Sequence, residues 1–224
     1  MLGSAAGLLR VRRLGRLLRC RLLVAAVFVL AAGPAASWNP SELLAPCRGD
    51  CGVAVYAGFY VEDSMSELIL TSPKPPSAWS YDRDDRLVAA TVSRRAGRLG
   101  SHFTLEPEVG VGQRSGRQSA TEVWGALFIR YHGFPWDGTV LTTAAVSTGL
   151  NWASSVTDVE RDRARDEEGS QWMHFFAPEI TFALPSRPDV ELLLRFHHRS
   201  GVFGLISDAW GGAQYATVGL RFLF

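Results

Sequence analysis

Apolar and polar residues alternate along much of the chain, most regularly at its C-terminus. Even positions from 216 to 224 are apolar, and the odd positions between them include Thr217 and Arg221. Residues 190–198 alternate in nearly the same way, with Glu191 and Arg195 on the polar side. Because successive side chains of a strand point to opposite faces, this period predicts strands with one apolar and one polar face.

Similar patterns recur in eight segments of 9 to 14 residues: 52–61, 86–94, 99–111, 120–131, 139–152, 171–184, 189–198 and 214–224. A tilted strand of ~9–11 residues crosses a bilayer, and no run of ~18 apolar residues follows position 38. The mean hydropathy of +0.05 suits strands that present only every second residue to lipid. We therefore predict an all-β, eight-stranded, antiparallel up-and-down transmembrane β-barrel over residues 52–224.

The connections between these segments differ in length. The long ones are 62–85, 153–170 and 199–213, whereas 95–98, 132–138 and 185–188 are short and 112–119 is intermediate. Outer-membrane barrels have short periplasmic turns and longer outer loops, so both termini are expected on the periplasmic side. Aromatic residues near the predicted strand ends are candidates for interfacial girdles: Tyr60, Tyr131, Trp136, Trp152, Trp172 and Tyr215.

Charged residues fall on the face opposite the apolar one, which places them inside the barrel: Glu106, Glu108, Glu122, Arg130, Glu179, Glu191, Arg195 and Arg221. Side chains can fill an eight-stranded barrel, so we predict a paired network and no pore. Glu106 and Glu108 share a face and could form a catalytic carboxylate pair, although interior charges are ordinary in small barrels. A soluble lipocalin-type barrel is the alternative fold, but its interior would be apolar.

The N-terminal region has the layout of a secretory signal. An arginine-rich stretch precedes the apolar run 22–33, and Ala35, Ala36 and Ser37 provide a cleavage site before Trp38. We predict a signal peptide over 1–37, with an uncleaved anchor as the alternative. Removing the six arginines before residue 38 changes the net charge from +1 to −5, so nucleic acid is not an expected partner.

Residues 38–51 are predicted to form a periplasmic segment before the barrel. Cys47 and Cys51 form an even pair in an oxidising compartment, which favours a disulfide, with two unpaired thiols as the alternative. Two thiols without a nearby histidine are too few ligands for a metal site. No metal or cofactor is therefore expected.

A candidate for chemistry lies at the outer end of the seventh predicted strand. His198 and Ser200 are separated by two positions and share the lipid-facing side with Phe196. A serine nucleophile needs a base, and the base usually needs an orienting partner. Polar side chains facing acyl chains are costly, so a lipid-directed function would explain this placement.

With this H-x-S pair and the barrel layout, the chain resembles the lipid A 3-O-deacylases, the PagL-like outer-membrane esterases. The resemblance covers the layout of the mature chain, with its specific match in residues 198–224. It implies removal of an ester-linked 3-hydroxyacyl chain from lipid A, with Ser200 as nucleophile and His198 as general base. It also implies a site near the outer surface that faces the lipid.

The chain departs from that family at two places. Gly201 follows the serine where the family usually has Asn, and residues 211–214 contain no carboxylate to orient the histidine. If the last two strands pair around Ile206, Gln214 lies opposite His198 and Gly212 opposite Ser200. Gln214 could then hold the imidazole, and Asp208 is the nearby carboxylate that could fold back.

Other functions stay open. A non-catalytic barrel could stabilise the envelope, with the charged loop 158–168 binding divalent cations or lipopolysaccharide phosphates. His197 and His198 would then be membrane-boundary residues. A small channel is a third hypothesis, which a filled interior disfavours. The C-terminal residues 221–224 resemble the terminal aromatic signature recognised by the outer-membrane assembly machinery, through Phe224. The expected location is a Gram-negative outer membrane, and the expected partner is outer-leaflet lipid.

Overall fold

The computed structural model describes residues 36–38, 43–162, 164, 168–202, 206 and 212–224. The barrel lies within the compact unit Trp38–Phe224. Most of the predicted signal peptide lies outside the described residues. Asp208 also lies outside them.

Strands account for most of the described chain. They are β1 (Ala36–Trp38), β2 (Cys51–Val61), β3 (Tyr81–Arg94), β4 (Gly97–Leu99), β5 (Phe103–Ser115), β6 (Ala120–His132), β7 (Leu141–Ala153), β8 (Trp172–Phe176), β9 (Glu179–Leu184), β10 (Arg187–Ser200) and β11 (Gln214–Leu223). A π-helical turn at Glu67–Thr71, a 3-10 turn at Pro76–Ala78 and helix α1 at Asp158–Asp162 lie in connections. Within the described residues, no helix is long and apolar enough to cross a membrane.

Eight antiparallel barrel strands close on themselves, as the alternation predicts. The cyclic order is β2, β3, β5, β6, β7, then β8 with β9, then β10 and β11, which pairs with β2. Successive barrel strands are neighbours, so the connectivity is up-and-down. We call the end that carries connections 62–80, 116–119, 154–171 and 201–213 the loop end, and the opposite end the terminal end.

β8 and β9 form a single barrel strand interrupted at Ala177 and Pro178. Proline has no amide hydrogen to donate to a ladder, but its carbonyl accepts a bond from the Phe196 amide at 2.9 Å. The Ala177 amide donates instead to Ser147 Oγ at 2.8 Å. Both halves pair with β10 in the same register. The prediction of one strand over 171–184 therefore has the right position in the barrel, but it missed the break at Ala177 and Pro178.

β5 begins later than the alternation predicts. The prediction starts this strand at 99, whereas residues Gly97–Leu99 form β4 and fold back on Phe103–Leu105 through a turn in which Gly100 has φ +64°. At the loop end, β3 extends back to Tyr81 and β5 continues to Ser115. Strand ends that lie beyond the apolar belt need no apolar face, so alternation does not mark them.

The outer surface is apolar and the interior is charged. Apolar side chains from all eight barrel strands are exposed, including Val55, Val88, Val109, Val123, Val146, Leu184, Leu194 and Val218. All eight charged residues predicted to be interior are buried, which confirms that assignment. Because the faces have this sense, the barrel is the inverse of a ligand-binding lipocalin.

The aromatic prediction holds only in part. Trp136 and Trp172 are 51% and 57% exposed, as residues of an outer girdle would be. Tyr60 and Tyr215 are buried instead, and their rings meet edge to face inside the barrel at 5.6 Å. Their assignment to the girdle was wrong because position along a strand does not determine the face of a residue.

Arginine–glutamate pairs fill the half of the interior nearer the terminal end. Arg195 binds Glu108 at 2.7 Å and Glu179 at 2.7 Å. Arg130 binds Glu179 at 2.6 Å and Glu106 at 2.8 Å. Glu106 and Glu108 therefore neutralise arginines, which disfavours the hypothesis of a free catalytic carboxylate pair.

A second ion cluster lies nearer the loop end and includes a residue from a loop. Glu160, in α1, is fully buried and pairs with Arg114 of β5 at 3.1 Å and Arg199 of β10 at 3.0 Å. Its other oxygen accepts a bond from the Thr157 amide at 3.1 Å. The predicted cation-binding loop thus contributes one of its acids to the barrel interior, where it is unavailable to an external ligand.

A disulfide joins Cys47 and Cys51, as predicted. The Arg94 side chain fastens this segment to the terminal end of β3, since Nη1 donates to the Leu43 carbonyl at 3.1 Å and Nε donates to Asp50 at 2.8 Å. The disulfide, the Arg94 side chain and a bond from the Arg95 amide to the Asp50 carbonyl at 2.7 Å therefore anchor the segment before the barrel.

Candidate functional site

His198 and Ser200 lie on the outer face of β10, close to the loop end. Leu192 and Leu194, on the same face, are 43% and 40% exposed, whereas the odd-numbered neighbour Arg195 is buried. Ser200 is partly exposed and His198 is nearly covered. The structure therefore places both residues on the apolar side predicted from the alternation.

Gln214 lies opposite His198 in the pairing of β10 with β11, which confirms the register expected from the sequence. His198 Nδ1 and Gln214 Oε1 are 3.2 Å apart. The bond from the Arg199 amide to the Ala213 carbonyl, at 3.0 Å, extends this register and brings Gly212 opposite Ser200. A Cβ atom on Gly212 would collide with the Arg199 carbonyl, so only glycine fits there.

The amide of Gln214 determines the protonation pattern of the imidazole. Its Nε2 donates to the Val61 carbonyl at 3.3 Å and to the Asp63 carbonyl. Since a carbonyl only accepts, Nε2 is the amide nitrogen and Oε1 is the atom that faces the histidine. His198 must then donate from Nδ1, which leaves the lone pair on Nε2.

This tautomer is the one that a general base requires. In a serine hydrolase, replacement of the orienting acid by its amide costs ~10⁴ in rate because the amide favours the wrong tautomer. Here two backbone carbonyls prevent the amide from turning, so Gln214 acts as an acceptor. It still lacks the negative charge with which a carboxylate stabilises an imidazolium.

The connection between β2 and β3 holds Gln214 from outside. Asp63 accepts bonds from the Ser80 amide at 2.6 Å and from Lys74 Nζ at 3.3 Å. The hydrogen bond from the Ser80 amide lowers the pKa of the Asp63 carboxyl below its usual value. Trp79 of the same connection packs edge-on against Phe196 at 5.4 Å. The loop 62–80 therefore borders the His198 side of the site.

A second histidine borders the other side of Ser200. His174 of β8 lies directly opposite Ser200, and its Nε2 is 2.8 Å from Thr148 Oγ1 of β7. We call Thr148, His174, Ser200, His198 and Gln214 the outer polar band. It crosses β7, β8, β10 and β11 on an otherwise apolar surface.

The alternation of residues gave no indication of His174. At the turn Arg187 lies opposite Leu184, but beyond a bulge Leu192 lies opposite Phe182, a register shift of three residues. A tight turn without the bulge would have placed Gln171 opposite Ser200. The signal was therefore absent from the local pattern, since the bulge is needed to bring His174 into place.

Ser200 and His198 are neighbours on one face, and no hydrogen bond joins their side chains in the described structure. Two residues along a strand separate their Cα atoms by about 6.6 Å, and such catalytic contacts often form only with substrate bound. Asp208, the other predicted partner, lies outside the described residues. The site therefore shows an oriented base beside a serine.

Within the described ranges, no group of three or more His, Cys, Asp or Glu side chains is arranged to hold a metal ion. The chain matches no protein-family model, and no curated protein is similar to it in sequence.

Proposed function

We propose that this chain is an outer-membrane barrel that hydrolyses an ester bond of a lipid in the surrounding leaflet. The observation that carries the proposal is the outer polar band, in which an oriented imidazole lies beside a serine on an apolar surface. Lipid A is the substrate implied by the resemblance to the PagL-like esterases. An ester bond near the interface would approach Ser200 directly from the membrane.

The distribution of side chains supports this location. An exposed belt of valine and leucine surrounds a charged, paired interior, the arrangement expected of a barrel whose solvent is lipid. The polar band lies at the loop end, which corresponds to the outer leaflet when the termini are periplasmic. Secretion would proceed through the signal peptide predicted over 1–37, and assembly through Phe224.

The mechanism uses the groups of the band in sequence. Ser200 Oγ attacks the ester carbonyl while His198 Nε2 accepts its proton. The departing alcohol takes that proton as the acyl–Ser200 bond forms. Water then attacks the acyl-enzyme while His198 Nε2 accepts its proton, and that proton passes to Ser200 Oγ as the fatty acid leaves. Gln214 holds the ring in the required tautomer, and Asp208 is the carboxylate available in sequence to support the imidazolium.

The test is to express the chain in a lipopolysaccharide-bearing host and determine lipid A by mass spectrometry. We expect loss of one hydroxyacyl chain, and Ser200→Ala should abolish that loss. Ser119→Ala, which changes an exposed serine at the same end, is the matched control. Unchanged lipid A in cells with a correctly inserted barrel would overturn the proposal. Asp208→Asn determines whether that carboxylate participates.

A non-catalytic envelope barrel is the second candidate, and the buried ion clusters favour it because they resemble a purely structural core. In that case lipid A is unchanged, and the exposed part of the loop 154–171 contacts lipopolysaccharide phosphates. Replacing residues 161–168 with Gly and Ser, while keeping Glu160, should then reduce surface binding and envelope integrity. If neither changes, this candidate loses its support.

A further inference from the structure

Ser200 has different neighbours on its two flanking strands. The residues just before β11 place Gly212, which has no side chain, beside Ser200, whereas β8 presents His174 directly opposite. Residues opposite each other in an antiparallel pair have Cβ atoms about 4.5–5.5 Å apart. The closest side chain across the strands from Ser200 is therefore an imidazole.

The surroundings of His174 are those of a lipid-facing residue. Trp172 and Phe176 flank it on the same face of β8, and Leu150 lies opposite it on β7. A polar ring at such a place has a cost unless it is bonded or functional. Thr148 is its described partner, at 2.8 Å. Two histidines therefore lie on the two sides of one serine, in a face that is apolar beyond the outer polar band.

The hydrogen-bond partners give the two rings different chemistry. Gln214 Oε1 is an acceptor, so His198 donates from Nδ1 and has its lone pair on Nε2. Thr148 Oγ1 lies 2.8 Å from His174 Nε2 and can donate its proton to that nitrogen, because a hydroxyl is both donor and acceptor. His174 then carries its own proton on Nδ1. One ring is prepared to accept a proton and the other to donate a hydrogen bond.

We propose that His174 is a further catalytic residue, which stabilises the oxyanion formed when Ser200 attacks an ester. This inference rests on the proposed function. As the Ser200 Oγ–carbon bond forms, the carbonyl π pair moves to the ester oxygen, and that oxygen accepts a bond from His174 Nδ1–H. The Ser200 proton goes to His198 Nε2. When the carbonyl re-forms, the alcohol leaves with that proton, and His174 keeps its own.

The experiment compares variants of the full-length barrel in detergent micelles, with a p-nitrophenyl ester of a 3-hydroxy fatty acid as the probe. His174→Phe should lower kcat by roughly 10²–10³ with little change in KM, the usual effect of losing one oxyanion donor. His174→Gln should recover part of the rate because its amide can donate. Phe176→Leu, one outward position away, is the matched control and should leave kcat unchanged.

The pH profile separates the two histidines. The acid limb of kcat/KM reports the base, so it should persist in His174→Gln and be lost in His198→Gln. A His174→Phe variant that folds and keeps the wild-type kcat would overturn this inference and leave the proposed ester hydrolysis intact. Loss of the acid limb in His174→Gln, with its retention in His198→Gln, would also overturn this inference. A folded wild-type barrel that hydrolyses neither this ester nor lipid A would overturn both.

Discussion

His197 and His198 are adjacent in sequence and lie on opposite sides of the barrel wall. His197 is fully buried in the interior, where Nε2 contacts Glu122 at 2.9 Å and Nδ1 contacts the Tyr56 hydroxyl at 3.1 Å. His198 faces outward and contacts an amide. The interior ring contacts the carboxylate that a catalytic histidine usually needs, and the outer ring contacts the Gln214 amide.

Access decides between them. The rings of Trp124 and Phe175 pack against His197 at 4.9 Å each, and ion pairs fill the space above and below it. His198 lies beside a serine on the surface that a lipid would contact. His197, which is enclosed in the interior, is therefore a structural residue. His198, which is reached from the outer surface, is the candidate for chemistry.

The largest effect is expected when the two rings are replaced separately. His198→Phe should reduce ester hydrolysis by roughly 10²–10⁴, the usual contribution of a general base. His197→Phe should leave hydrolysis by the folded fraction unchanged and lower the free energy of unfolding by about 1–3 kcal/mol, because Glu122 loses a partner. Rates per folded barrel, with folding followed by electrophoretic mobility before and after heating, distinguish the two. Equal losses of activity in the two variants would contradict the assignment of His197 as structural and His198 as catalytic.

The interior is expected to respond in stability alone. Arg195→Met leaves Glu108 and Glu179 without their shared arginine, and should cost about 3–5 kcal/mol of unfolding free energy. Arg187→Met, which removes an exposed pair with Asp189, is the control and should cost less than about 1 kcal/mol. Urea unfolding in lipid vesicles measures both. A similar cost for the two variants would mean that the interior charges are not a paired core.

A smaller effect is expected at the amide that orients His198. Gln214→Leu should lower kcat by about tenfold, less than loss of the base, because the ring then samples both tautomers. Gln214→Glu should not exceed the wild type, since its second oxygen would face the carbonyls of Val61 and Asp63. Kinetics with the soluble ester measure both. A Gln214→Glu variant with a much higher kcat would show that the loop carbonyls do not constrain this position.

The smallest expected effect is a pH dependence confined to the outer site. The lowered pKa of Asp63 means that its carboxylate stabilises the loop above about pH 4, and that this stabilisation is lost as the pH falls through the folded-state pKa. Hydrogen exchange at the Ser80 amide, corrected for its intrinsic rate, should accelerate by less than about tenfold over that range. In Asp63→Asn the corrected rate should not depend on pH. A wild-type rate that is equally flat would exclude this coupling.

Alternation predicted the barrel because the outer surface and the interior impose opposite demands on successive residues. The same parity located the interior charges and the outward direction of His198, and strand pairing placed Gln214. Two other features had no such signal. Pro178 interrupts a strand whose register survives, and the bulge before Leu192 shifts the partner of Ser200 to His174. A bulge depends on the fit of two strands, which a single strand's pattern does not contain.

The sequence pattern also did not predict that Glu160, in the connection 154–171, is buried inside the barrel. The stretch around Glu160 is densely charged and has no period, so it predicts a solvated loop. Its insertion depends on Arg114 and Arg199, which are 46 and 39 residues away. Pairing over such separations depends on tertiary structure that alternation does not encode.

The position of Glu160 also bears on the order of assembly. Its ion pairs join β5 to β10, which are far apart in sequence and meet across the interior only in the closed barrel. Because non-local contacts form after the chain entropy between them has been lost, this carboxylate is expected to enter the barrel among the last steps of folding. Protection of the 154–171 connection from protease would then report completion of the closed barrel.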